Sequence, residues 1–197
     1  MKNWFSIFVF FLTIPSCTDY NESAPKPHAY PKVDYPKGSY KVVNTQDCDF
    51  EFEIPDYVKI IKDSLYFDKA APDCWFNIIY PKLKANLHCS YYPITNLKQI
   101  EKMGNDAFVL ANKHTTKADF IDEIEIHKPN NVHGYAFSIE GNVASPFQFF
   151  LTDSTQHYFR GSLYFDTKTE VDSIGPILNF VKTDIMHMIN TFNWNTN

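Results

Sequence analysis

Residues 134–165, GYAFSIEGNVASPFQFFLTDSTQHYFRGSLYF, carry the pattern that decides the fold. Aromatic and branched residues concentrate in three runs, at 134–140, 144–152 and 158–165, and turn-forming residues separate these runs. Runs of this composition are typical of β-strands. Because connections this short join antiparallel neighbours, the stretch predicts three consecutive strands of an antiparallel meander.

Further strands are expected on the N-terminal side of this stretch. The same compositional pattern marks five more candidates, at 40–43, 50–54, 75–80, 85–92 and 121–127. Residues 58–66 fit either a short helix or a strand. The closing Phe-Asn-Trp at 192–194 is expected to fold back on the sheet.

Two helices are predicted from apolar residues at helical spacing. The first covers about 95–114 with Thr95 as its cap, and the second covers about 172–191. In the second, Ser173 is the expected N-cap and Pro176 lies in the first turn. The predicted fold class is therefore α+β, an antiparallel sheet packed with helices that include a long C-terminal one.

The start of the chain has the pattern of a bacterial lipoprotein signal. Lys2 precedes an apolar run at 4–14, and Ser16 stands directly before Cys17. The run is shorter than the roughly 20 apolar residues that span a bilayer, but it suits the apolar region of a secretory signal. A small residue before cysteine is typical of a lipobox, in which the cysteine is acylated and becomes a stable membrane anchor. The alternative is an ordinary signal peptide with an incidental cysteine.

This interpretation divides the chain into three parts. We expect a signal peptide at 1–16, a lipidated Cys17 followed by a Pro-rich tether through residue 40, and a single α+β domain at 41–197. Within the tether, Tyr30, Val33 and Tyr35 are apolar enough to dock on the domain.

Composition argues against several classes of function. The chain carries a net charge of −5 and has no basic cluster, so nucleic acid is not an expected partner. The seven histidines are scattered without metal-ligand spacing, and no phosphate-binding loop is present. We therefore expect no metal and no cofactor.

Three cysteines remain beside the lipidated one, namely Cys48, Cys74 and Cys89. An extracytoplasmic location favours disulfides. The first two stand beside predicted strands that a polar, turn-rich stretch connects, so we predict a Cys48–Cys74 disulfide. Cys89 lies in an alternating strand and is expected to be a small buried side chain. The alternative is that all three stay reduced.

One stretch, Asp153-Ser154-Thr155-Gln156-His157, has residue types that suit nucleophilic catalysis. It falls at a turn between two predicted strands, and no nucleophile-elbow motif accompanies it. Asp, Ser and Thr are also ordinary turn formers. The turn interpretation is favoured, so no catalytic residues and no enzymatic activity are expected.

Several segments together resemble the gliding motility-associated lipoprotein GldD family of Bacteroidetes. Besides the lipobox, the resemblance rests on residues 30–40 (YPKVDYPKGSY), 74–81 (CWFNIIYP), 141–155 (GNVASPFQFFLTDST), 159–165 (FRGSLYF), 172–174 (DSI) and 191–194 (TFNW). It covers essentially the whole mature chain. The order of strands followed by a long helix also resembles the Mog1/PsbP-like sandwich.

Membership of that family implies a cell-envelope lipoprotein required for gliding over surfaces. It further implies association with the type IX secretion machinery and with other gliding lipoproteins as partners. Cys48 and Cys74 stand at family-typical positions and Cys89 does not, which agrees with the pairing above. The family supplies no catalytic residues.

Three Asp-Ser triplets, at Ser64, Ser154 and Ser173, match the short O-glycosylation motif of exported Bacteroidetes proteins. After Cys17 the chain lacks the acidic run that surface-exported lipoproteins of these bacteria often carry, so a periplasm-facing orientation is expected.

Two functional hypotheses follow. The first is a non-enzymatic scaffold or stabiliser that works through an aromatic contact patch, expected in 144–150 and at Tyr91-Tyr92. The second is an envelope glycan-binding protein or hydrolase with a site near Asp153, Ser154 and His157.

Overall fold

The computed structural model describes residues 32–44, 48–63, 65–66, 69–70, 72–166 and 171–195. The expected leader, Cys17, Tyr30 and Ser64 lie outside these ranges. The described residues form the following strands and helices: β1 (Tyr40–Asn44), β2 (Phe50–Pro55), β3 (Lys59–Lys62), β4 (Leu65–Tyr66), β5 (Lys69–Ala70), β6 (Phe76–Tyr80), β7 (Ala85–Pro93), α1 (Leu97–Asn112), β8 (Ala118–Lys128), β9 (Val132–Gly141), β10 (Phe147–Thr152), β11 (His157–Phe165), α2 (Val171–Thr191) and β12 (Asn193–Trp194).

A seven-stranded antiparallel sheet forms the centre of the domain. Its strand order is β3-β6-β7-β11-β10-β9-β8, and a smaller sheet has the order β1-β2-β12. The meander predicted from residues 134–165 is present, because β9, β10 and β11 are consecutive antiparallel neighbours. Residues 59–62 are a strand, which decides between the two structures expected for 58–66. The predicted α+β class is confirmed.

The two helices cover opposite faces of the large sheet. Alternate residues of a strand point to opposite faces, and in β10 Phe149 packs in the cluster of α2 whereas Phe150 packs in the cluster of α1. The larger cluster also contains the buried side chains of β2, Phe50, Phe52 and Ile54. The small sheet and α2 therefore lie together on one face, and α1 lies on the other.

The helix starts differ by one or two residues from those predicted. The N-cap of α1 is Asn96 rather than Thr95, because Asn96 has extended backbone angles and its Oδ1 accepts a bond from Gln99 N at 3.0 Å. Thr95 instead contacts the Gln99 side chain. In α2 the helical backbone begins at Val171, so the prediction of Ser173 as N-cap is wrong. Pro176 lies inside the helix.

The segment before β1 packs along α2. Val33 contacts the main cluster, and the Tyr35 ring lies 4.8 Å from that of Phe180. The Tyr40 hydroxyl then donates to Asp184 at 2.9 Å. Burial raises the pKa of Asp184, and its bonds from Tyr57 and Tyr40 act in the opposite direction. Two of the residues expected to dock, Val33 and Tyr35, thus contact the domain. In the described part of the chain, neither helix is long and apolar enough to cross a membrane.

Candidate functional site

A polar cleft opens at the end of the large sheet where β11 starts, β8 turns into β9 and β12 ends. Its volume is about 480 Å³. The side chains that line it are mostly amides, carboxylates and rings: Asp49, Asn130, Asn131, Asp153, Gln156, His157, Trp194 and Asn195. Two of the three residues that the sequence singled out, Asp153 and His157, lie here. Ser154 does not line the cleft.

Asp153 organises the turn between β10 and β11. Its Oδ1 accepts backbone N–H bonds from Thr155 at 2.9 Å, Gln156 at 2.9 Å and His157 at 2.8 Å, and Oδ2 accepts the Thr155 hydroxyl. Burial acts to raise the pKa of this carboxyl, but the four bonds outweigh it and hold the pKa below its usual value. Asp153 therefore stabilises the turn, as expected of an Asp in this position.

Ser154 lies at the tip of the same turn. Its side chain is exposed, its φ is 65°, and its backbone N donates to Thr152 Oγ1 at 3.0 Å. No hydrogen bond joins Ser154 to the His157 ring in the described part of the chain. The three residues of the hydrolase hypothesis are thus close in sequence but do not form a nucleophile, base and orienting acid in space.

The His157 ring belongs to a different set of contacts, with Tyr91 and Asp49. The Tyr91 hydroxyl lies 2.7 Å from His157 Nδ1 and donates to Asp49 Oδ2 at 3.1 Å. The Tyr91 hydroxyl has one proton, and it donates that proton to Asp49. We therefore assign the proton of the Tyr91–His157 bond to Nδ1 of His157, so that the tyrosine oxygen accepts it. Nε2 remains as the second hydrogen-bonding atom of the His157 ring. Burial, together with Asp49, raises the pKa of Tyr91, so this hydroxyl stays a donor.

A disulfide flanks this Asp49–Tyr91–His157 cluster. It joins Cys48 to Cys74, the pair that the sequence analysis favoured, with the Cα atoms 5.8 Å apart. Asp49 follows Cys48 directly, and Trp75, which follows Cys74, donates its indole N–H to Tyr91 O at 3.0 Å. The disulfide therefore links the segment that carries Asp49 to the segment whose Trp75 bonds to Tyr91. Cys89 is free and buried, and burial raises the pKa of its thiol.

Trp194 completes one wall of the cleft. Its ring stacks on His157 with centroids 5.0 Å apart and an interplanar angle of 18°. Trp194 is placed by β12, which pairs with β2, so the predicted return of residues 192–194 to a sheet brings this ring to the site. Sequence reasoning missed the cluster because its members come from distant segments of the chain.

Most of the aromatic contact patch expected from the sequence is buried, and of its aromatic residues only Tyr92 is half-buried. Phe147, Phe149 and Phe150 are at most 6% exposed, and Tyr91 is also 6% exposed. The reason is that β10 is a central strand covered by α2 on one face and by α1 on the other. A continuous apolar run of this kind is typical of a strand buried on both faces.

Metal ligands and the expected O-glycosylation positions can also be located in the structure. Among the described residues, no group of three or more His, Cys, Asp or Glu side chains is arranged to hold a metal ion. Of the three Asp-Ser triplets, Ser154 is exposed at a turn, Ser173 lies in the first turn of α2, and Ser64 falls outside the described residues.

Comparison with known proteins gives one family and one structural neighbour. A family model described as "Gliding motility lipoprotein GldD" matches residues 20–194. No curated protein matches the chain. Among solved structures, the chain is similar to the solution structure of cyanobacterial PsbP (CyanoP) from Synechocystis sp. PCC 6803, with 12% identity, a TM-score of 0.48 and coverage of 81% of this chain and 94% of that one.

Proposed function

The chain belongs to the gliding motility lipoprotein GldD family, and we propose that it serves as a non-enzymatic scaffold or stabiliser of the gliding and type IX secretion machinery. Family membership is the observation that carries this proposal. A lipoprotein of this family is anchored to a membrane of the cell envelope. The partners that we propose are other gliding lipoproteins and secretion proteins, met on the periplasmic side.

A lipid on Cys17 would keep the domain near its membrane. Fourteen residues lie between Cys17 and Lys32, where the described chain begins. A chain of that length reaches at most about 50 Å when fully extended. The domain is therefore restricted to partners that are themselves at or near the membrane, which suits a role in stabilising other lipoproteins.

Strand β8 is the surface that we propose for these contacts, in place of the buried aromatic patch. It is the last strand of the large sheet and pairs only with β9 in the described part of the chain. Such an edge accepts an added strand from a partner. Phe120 on this strand is 59% exposed, and its exposed acidic side chains, Asp119, Asp122, Glu123 and Glu125, favour a partner with basic residues.

Replacing Phe120 with serine is expected to reduce recovery of partner lipoproteins at least about tenfold, because a large apolar side chain in a contact is a typical hot spot. The measurement is a mild-crosslinking pull-down of the tagged protein from solubilised envelopes. Leu97→Ser is the matched control, since Leu97 is 67% exposed at the start of α1. Undiminished recovery with Phe120→Ser, at normal protein abundance, would contradict β8 as the contact surface.

Binding of an envelope glycan in the polar cleft is a second candidate function. The stacked rings of His157 and Trp194, beside the amides Asn130, Asn131 and Gln156, favour it. Sugars present apolar faces that pack on aromatic rings and hydroxyls that amides and carboxylates bind. The turn that carries Ser154 contributes no catalytic geometry, so binding rather than hydrolysis is the function proposed for this cleft.

His157→Ala is expected to weaken glycan binding about tenfold, since it removes both a stacking ring and a hydrogen-bonding atom. The measurement is calorimetric titration of the purified protein with soluble peptidoglycan fragments and N-acetylglucosamine oligomers. Ser154→Ala is the matched control from the same turn and is expected to bind like wild type. Absence of binding by the wild-type protein would exclude this second function and leave the scaffold proposal unaffected.

A further inference from the structure

The face of the large sheet that carries α1 also contains a groove. The cluster beneath α1 contains side chains of β9, β10 and the start of β11. Beside this cluster, residues of β7 and of the rest of β11 line this groove of about 380 Å³ on the same face. Its lining residues are Asp63, Trp75, His88, Cys89, Ser90, Tyr92, Arg160, Ser162 and Tyr164. The Asp63 carboxylate in this lining accepts a hydrogen bond from Asn77 Nδ2.

The strand register explains why these side chains lie side by side. Arg160 of β11 is directly opposite Ser90 of β7, and Ser162 is opposite His88. Residues two apart on a strand share a face, so the four side chains form a polar square in the groove, in which His88 is exposed, Ser90 and Arg160 are half-buried and Ser162 is buried. Tyr92 extends this polar square toward α1, and the centroid of the Tyr92 ring lies 5.2 Å from that of the Trp75 ring.

Arg160 is the only arginine in the chain. It is half-buried in the middle of its strand, and its Nη2 donates to Gln148 Oε1 at 2.9 Å. No carboxylate forms an ion pair with it among the described residues. A guanidinium has five N–H donors, and a charge taken partly out of water is costly unless an opposite charge meets it. Most of its donors are therefore available to an anion.

Two neutral side chains hold Arg160 in place. Gln148 is buried, at 4% exposure, and its Nε2 lies 3.1 Å from Nε2 of His114 at the end of α1. Burial lowers the pKa of His114, so its ring is neutral at pH 7 and accepts the bond from the Gln148 amide. The Gln148 oxygen consequently faces the guanidinium. Arg160 is thus positioned by an amide, which leaves its positive charge unneutralised.

We propose that this groove binds an oxyanion, the carboxylate or phosphate group of a small molecule or saccharide, with Arg160 as its charge partner. The hydroxyls of Ser90 and Ser162 are the neighbouring donors, and the rings of Tyr92 and Trp75 form a wall for the rest of the ligand. The groove is separate from both the β8 edge and the polar cleft, so this site does not depend on either proposal above.

The test is calorimetric titration of the purified full chain with glucuronate, with inorganic phosphate and, as the neutral control, with glucose. At least one anion is expected to bind in the millimolar range or better, and glucose is not. Arg160→Gln is expected to weaken that binding at least about tenfold, because a charge-assisted paired bond is lost. Lys98→Gln, which removes an exposed positive charge on α1, is expected to bind like wild type.

A second variant separates recognition from simple loss of structure. Gln148→Glu keeps an acceptor for Arg160 and neutralises the guanidinium, so it is expected to abolish anion binding. Because the carboxylate also replaces the amide donor to His114, circular dichroism at the temperature of the titration verifies that this variant is folded. Binding of glucuronate alone points to an acidic saccharide, and binding of phosphate points to a phosphorylated ligand. If neither anion binds, or if Arg160→Gln binds as tightly as wild type, the proposal is wrong.

Discussion

Replacing Phe192 with alanine is expected to lower the free energy of unfolding by about 3–5 kcal/mol, the usual cost of removing a buried phenylalanine ring. Phe192 is fully buried. Its ring lies 5.6 Å from Phe50, 5.2 Å from Phe159 and 4.8 Å from Trp194. It therefore joins the small sheet, the large sheet and the end of α2 at one point.

Two hydrogen bonds also hold the backbone of Phe192. Its carbonyl oxygen accepts bonds from Lys128 Nζ at 2.6 Å and from Asn130 Nδ2 at 3.0 Å. Because these bonds hold the backbone at this position, it cannot shift to fill the space left by the ring, so the cavity is expected to persist and the loss to fall in the upper part of the range.

Guanidinium denaturation followed by circular dichroism measures this effect. Phe120→Ala is the matched control, since it removes the same ring from a position that is 59% exposed, and its effect is expected to be within about 0.5 kcal/mol. A loss below about 1 kcal/mol for Phe192→Ala would show that the core tolerates the cavity.

Removing the Cys48–Cys74 disulfide is expected to cost about 3.5 kcal/mol, because the bond closes a loop with a sequence separation of 26 and restricts the unfolded chain. The Cys48→Ala/Cys74→Ala double variant tests this in the same denaturation experiment. A reducing agent should shift the midpoint of the wild-type protein but not that of the double variant.

Cys89→Ala is the control for the loss of a sulfur atom. Its thiol is buried and unpaired, so this substitution changes packing only and leaves the response to a reducing agent intact. An unchanged midpoint in the double variant would mean that the bond does not constrain the unfolded state. A matching loss of glycan binding would show that the disulfide also maintains the Asp49–Tyr91–His157 cluster.

Much of the backbone was predictable because its signals are local. Alternating apolar residues and short turns in 134–165 predict β9, β10 and β11, and apolar spacing over 172–191 predicts α2. The favoured disulfide partners were also suggested by cysteines beside neighbouring strands. The segments that resemble the GldD family are readable in the chain without any knowledge of its fold.

The sites were less predictable because burial depends on elements that are distant in sequence. The aromatic residues of 147–150 suggest a contact patch until two helices are seen to cover both faces of β10. His157 was noticed for its neighbours Asp153 and Ser154, yet it bonds to Tyr91, which is 66 residues away.

Sequence by itself therefore determined the lipoprotein pattern, the family, the α+β class and most strands, since these follow from local composition and periodicity. Tertiary structure alone decided which polar groups meet. Only the register of β7 and β11 sets Arg160 opposite Ser90, and only the end of α1 places His114 beside Gln148. The physical reason is that strand pairing and helix packing join segments far apart along the chain, and local sequence does not encode the position of one such segment relative to another.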